Sequence, residues 1–158
     1  MSGSIHQVSV SQGGVPKLPV ETVDVVVGGI VQDDQTDRRN HGGPDQDLCL
    51  YSLEVIEALQ AEGHPIEPGF AGENLTIAAL DWSEMRSGLR LTIGETVTAE
   101  LTSPAAPCSK NADWFAGRDF RRMSFELHPG WSRWYARVIV GGTVRQGDPV
   151  EVVEPAAG

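Results

Sequence analysis

Two cysteines and two lysines in 158 residues are the tightest compositional limits on what this chain can do. Cys49 and Cys108 make no evenly spaced framework and cannot supply the four thiolates of an iron–sulfur cluster. Lys17 and Lys110 are a poor basis for a Schiff-base lysine, so pyridoxal phosphate is not expected in this chain. Cations of any kind are short: 12 Lys and Arg stand against 22 Asp and Glu, for a formal charge of −10. That field repels polyanions and argues against nucleic acid and anionic membranes as partners. No apolar run approaches the ~20 residues that span a bilayer, and no apolar signal segment opens the chain, so a reducing cytoplasm is the expected compartment. His6, His41, His64 and His128 lack metal-ligand spacing, which gives no reason to expect zinc. A dinucleotide fingerprint, a P-loop and a nucleophile elbow are likewise missing.

What is present suits one domain, with a core over about 5–154 and loose ends, burying roughly 68–70% of its unfolded surface. Strand signals dominate. Residues 7–10 alternate, 23–30 form a β-branched run, 48–51 are short and apolar, and 75–80 follow a Gly-rich loop. Leu89, Leu91 and Ile93 alternate before Gly94-Glu95, and Val97, Ala99 and Leu101 after it, which predicts a hairpin. A second pairing is expected among residues 136–140, Thr143-Val144 and Val150 with Val152, joined by Gly141-Gly142 and Gly147-Asp148. One helix is well signalled: Ser52 caps it, Leu53, Ile56 and Leu59 share a face, Gly63 follows its end and Pro65 stops it. Short helical turns are expected from Asp113, with Trp114 and Phe115, and from Ser132, with Trp134 and Tyr135. Strands joined by short turns with few helices favour a mainly β barrel or sandwich.

Chemistry concentrates around Cys108, in Ser-Pro-Ala-Ala-Pro-Cys-Ser-Lys directly after the hairpin. Pro104 and Pro107 oppose a regular ladder and hold the chain extended, presenting the thiol from a stiff loop. Between Lys110 and Arg145 seven cations face three acids, so an anionic small molecule finds its partners here, and positive charge favours the thiolate that attacks or binds soft metals. A salt-bridged surface explains the same cations equally well. Cys49, inside Leu-Cys-Leu-Tyr, reads as core. His41-Gly42-Gly43-Pro44-Asp45 is a loop whose glycines leave backbone amides open to a ligand, though a tight turn explains it too. A second Gly-rich loop ends at Asn74, which offers a donor and an acceptor to a polar ring edge. Three of the four tryptophans lie beyond Cys108, where they would wall a pocket or simply fill core.

Taken in order, His41-Gly42-Gly43-Pro44-Asp45, Leu48-Cys49-Leu50-Tyr51-Ser52, Pro68-Gly69 with Gly72-Glu73-Asn74-Leu75, Pro107-Cys108, and Ser132-Arg133 with Tyr135-Ala136-Arg137-Val138 resemble the MOSC family. This domain ends the molybdenum-cofactor sulfurases and forms the small stand-alone bacterial proteins of the YiiM type. Gln46-Asp47 stand where the family often has a basic residue, and Asn40 where it often has a second histidine.

The resemblance implies a closed or partly closed β-barrel of the pyruvate kinase β-barrel kind. It also implies that Cys108 is the functional cysteine, ligating molybdenum or carrying sulfur. On that footing the leading expectation is an oxidoreductase that binds a molybdenum cofactor of the molybdopterin type and reduces N-hydroxylated compounds, with Cys108 as metal ligand. His41, Gly42, Gly43, Asp45 and Asn74 are then candidate cofactor contacts, and Lys110, Arg133 and Arg137 candidate partners of its phosphate. A separate flavin or iron–sulfur protein would supply electrons. The alternatives are a persulfide carrier acting through Cys108 and a non-catalytic cofactor-binding module; oligomeric state is left open.

Overall fold

A computed structural model describes residues 1–11, 14–33 and 45–153. The strands are β1 (Ser2–Val10), β2 (Leu18–Val20), β3 (Thr22–Val26), β4 (Gly29–Ile30), β5 (Leu48–Ser52), β6 (Leu75–Ala78), β7 (Arg90–Ile93), β8 (Val97–Pro104), β9 (Trp134–Val140), β10 (Gly142–Arg145) and β11 (Pro149–Val153), with one helix, α1 (Leu53–Ala61).

Seven strands close a barrel in the order β1-β6-β5-β9-β8-β7-β11, sealed by β11 returning to β1. All its pairings are antiparallel except β5 with β6, where Leu50 faces Leu75. The period-2 pattern explains the closure. Ile5, Val8, Leu48, Leu50, Leu75, Ile77, Leu91, Ile93, Val97, Ala99, Leu101, Ala136, Val138 and Val150 belong to one core, none more than 3% exposed. Each buried aliphatic chain of Val size or larger contributes about 1.5–3 kcal/mol of transfer energy, and closure leaves few edges to protect. β2 pairs with the far end of β1, and β3 forms a separate three-stranded sheet with β4 and β10.

The parallel step from β5 to β6 needs a crossover, and α1 provides it. Ser52 accepts from the Val55 amide at 3.2 Å, Ile56 and Leu59 enter the core, and Gly63 at φ +98° closes the end by donating to the Gln60 carbonyl at 2.9 Å.

Four local expectations change. Residues 23–30 turn at Val27-Gly28, with Gly28 and Gly29 at positive φ, so the run is a hairpin of β3 and β4, not one strand. β9, β10 and β11 form but do not pair with one another: β9 lies between β8 and β5, β10 joins β3, and β11 joins β7 and β1. The helical turn expected at Ser132 is the start of β9, because Trp134 and Tyr135 pair with Pro104 and Ser103. The ladder thus continues through Pro104, which, lacking an amide proton, takes the last position of β8.

Candidate functional site around Cys108

Where β8 ends, Ala105 donates its amide to the Arg133 carbonyl at 2.9 Å and buries its methyl, and the chain then leaves the barrel. Cys108 follows with extended backbone (φ −123°, ψ 132°) and caps a 3-10 turn, Ser109–Trp114, its carbonyl accepting from the Asn111 amide at 2.9 Å. The thiol is free and half-buried, whereas Ser109 and Lys110 are exposed. The turn begins earlier than the one expected from Asp113.

Two buried side chains fasten this loop to the Gly-rich loop at 69–74. Arg133, 1% exposed, donates Nη2 to the Ala106 carbonyl at 2.8 Å and Nη1 to the Ala71 carbonyl at 3.1 Å. Asn111, also 1% exposed, donates Nδ2 to the same Ala71 carbonyl at 3.2 Å and accepts from Trp114 Nε1 at 3.2 Å. Trp114 in turn packs on Phe70, ring centroids 5.0 Å apart. The 69–74 loop is itself held from inside: Glu73 Oε2 accepts from the Gly69 amide at 3.0 Å and from Thr76 Oγ1 at 3.2 Å.

Buried polar groups surround Arg133. Cys49 packs with Ala105 and Tyr135 in a cluster separate from the barrel core, so it is buried as expected but on the outward side of β5. Burial pushes its thiol up, and the Arg133 and Lys17 charges only partly offset this. Burial likewise pushes the Glu73 carboxyl up against the Gly69 amide, the Thr76 hydroxyl and the Arg133 charge. Glu73 Oε1 and Arg133 Nε have no hydrogen-bond partner among the described residues.

The site residues expected from sequence are only partly gathered. His41, Gly42 and Gly43 lie outside the described residues. Asp45 is exposed; its carbonyl accepts from Thr102 Oγ1, which ties the loop's exit to β8. Asn74 is 1% exposed and spends its side chain internally, accepting from the Cys49 amide at 3.0 Å and donating to Asp33 at 2.9 Å, where Lys17 also ion-pairs. Arg137 is exposed on β9 and pairs with Glu100, its opposite residue on β8. Arg118 pairs with Asp113, and Arg122 makes a two-pronged pair with Glu62 while lying 3.9 Å from the Trp131 ring. Much of the cationic excess is therefore committed within the protein. Trp114 and Trp131 are half-buried, but Trp134 is core. Asn111 and Ala71 were not expected, and an Asn within a polar turn carries no signal of a contact 40 residues away.

Among the described residues, no cluster of three His, Cys, Asp or Glu is placed to hold a metal ion, and no helix is long and apolar enough to cross a membrane. The sequence profile of the MOSC domain matches residues 37–151. This chain belongs to the MOSC family. Its relatives include YflK of Bacillus subtilis, 31% identical over 143 residues, and YiiM of Escherichia coli, 30% identical over 130 residues. These alignments cover 89% and 79% of this chain but only 63% and 56% of the relatives, so this MOSC chain spans little more than half of their length. A protein of Gibberella moniliformis named a reductase is 27% identical over 119 residues, which cover 72% of this chain and 21% of that protein. The crystal structure of YiiM from Geobacillus stearothermophilus superposes with a TM-score of 0.74 at 25% identity, covering 99% of this chain and 77% of that one. The MOSC barrel is thus the fold expected from the sequence.

Proposed function

We propose that this MOSC protein binds a molybdenum cofactor through Cys108 and reduces N-hydroxylated compounds. The observation that carries the reading is a free, half-buried thiol on a loop fastened at both sides. A thiolate is the soft donor molybdenum prefers, and a fixed backbone holds it in one place. The donor set fits the metal end of such a cofactor. For the phosphate end, Lys110 lies exposed two residues beyond Cys108; Arg133 donates to two carbonyls and Arg137 pairs with Glu100.

When bound, the cofactor would supply the two-electron redox chemistry by which an N–OH compound, two electrons and two protons yield the amine and water. The chain's own part is to present Cys108 from a loop that Trp114 packs onto Phe70, and to keep Cys49 a neutral bystander. Electrons would come from a separate protein carrying flavin or an iron–sulfur cluster, because two cysteines cannot build one here. The distant relative named a reductase agrees with this reaction class.

The test is turnover. Protein produced in a host that makes the cofactor is given an amidoxime and a chemical one-electron donor, and amidine is measured. Amidine formation that disappears in Cys108→Ala is expected. Formation that persists unchanged in that variant would contradict the proposal, as would none by a protein carrying full molybdenum.

A further inference from the structure

The two loops that meet at Cys108 share one acceptor, and their stabilisation is therefore coupled. Arg133 grips the chain two residues before the thiol, at Ala106, and Asn111 grips it three residues after. Both end on the Ala71 carbonyl, in a loop more than 30 residues away in sequence. Both are 1% exposed, and Asn111 is fixed from its other side by the Trp114 indole. A surface arginine near a ligand would keep its fork outward; this one is buried with both η nitrogens on backbone.

We propose that Arg133 and Asn111 are positioning residues that form one clamp across Ala71, setting where the Cys108 thiol points and making residues 69–74 and 104–111 open as a unit. This rests on Cys108 being the reacting thiol, and it deepens that reading by giving Arg133 a place in presenting the thiol and not on a phosphate. The coupling follows from geometry: losing either donor leaves Ala71 with one grip, and the freed Gly-rich loop then no longer restrains the other side of Cys108.

Neither the cofactor nor turnover is needed for the test. Cys108 alkylation by iodoacetamide is followed by peptide mass spectrometry at one pH, with amide hydrogen exchange over both loops, in the purified wild type, Asn111→Leu, Asn111→Ser, Arg133→Lys and Arg118→Ala. The smaller serine serves should leucine prevent folding, and Arg118, paired with Asp113 on the exposed surface, is the control. In the folded Asn111 variants the alkylation rate is expected to change by about fivefold, what one hydrogen bond is worth, with faster exchange in both loops. Arg133→Lys, which keeps the charge and loses the fork, is expected to do the same, and Arg118→Ala to stay within about twofold. Unchanged alkylation in a folded Asn111 variant would overturn the clamp, and so would faster exchange at 104–111 with 69–74 unaltered. Because these readouts need no metal, a failed molybdenum assay would leave the clamp standing, and a failed clamp would leave the molybdenum assay untouched.

Discussion

Gly69→Ala tests the packing that holds the site together, and its cost can be worked in two parts. Gly69 has φ +87°, where an alanine loses about 1–2 kcal/mol to left-handed backbone strain. A Cβ there would lie 2.5 Å from the Lys17 carbonyl oxygen and 2.9 Å from Ser9 Oγ, closer than real Cβ atoms come. The carbonyl is backbone and cannot swing aside, since Lys17 also donates its amide to Gly69 at 2.9 Å, so overpacking adds about 1–3 kcal/mol. The total is about 2–5 kcal/mol, or roughly 4–20 °C in Tm for a chain of this size. Gly63→Ala separates the two parts, because Gly63 has φ +98° and nothing within 4 Å of an added Cβ. Urea denaturation of both variants is the assay. Gly69→Ala is expected to lose about 1–3 kcal/mol more than Gly63→Ala. Equal losses would refute the close packing of the 69–74 loop on β1 and the Lys17 backbone.

Two further outcomes follow from the buried polar groups and the committed cations. Burial raises the Glu73 carboxyl, so its neutral form is favoured in the folded state; its contribution is fully present below the ordinary carboxylate range and is lost as pH rises through the folded value. Glu73→Gln should therefore gain stability over wild type in a gap that widens as pH rises above the ordinary carboxylate range, and a gap that narrows would contradict the assignment. Arg137→Ala should leave molybdenum per protein within about twofold of wild type, since the guanidinium is exposed and held by Glu100; a larger loss would return Arg137 to the cofactor's phosphate.

Local features were the legible ones. Ser52, Gly63 and Pro65 mark α1 because capping and termination act within a few residues, and the alternation around Gly94-Glu95 marks the β7–β8 hairpin for the same reason. Cys108 stood out because prolines precede it and Lys110 and several arginines follow it. Pairing at long range was not legible: β9, β10 and β11 follow one another through Gly turns that look like hairpins, yet β9 and β11 find their partners in the barrel and β10 pairs with β3 in the smaller sheet. Arginine identity also misleads. Arg133 and Arg137 were both candidate partners of a phosphate, but Arg133 is sealed under the Cys108 loop while Arg137 meets Glu100 in solvent. Asn74 was read as a ligand-facing amide, whereas its three hydrogen bonds join β1, β5 and Asp33.

The most direct test of Cys108 as the metal-binding thiol is elemental molybdenum and released pterin per protein, compared between wild type and Cys108→Ala made in a cofactor-producing host. Near-stoichiometric molybdenum and pterin in the wild type, with the metal lost in Cys108→Ala, is the predicted result. Molybdenum retained in full by a folded Cys108→Ala variant, or absent from the wild type despite ample cofactor, would contradict it, and in the second case a persulfide on Cys108 would be the species to look for.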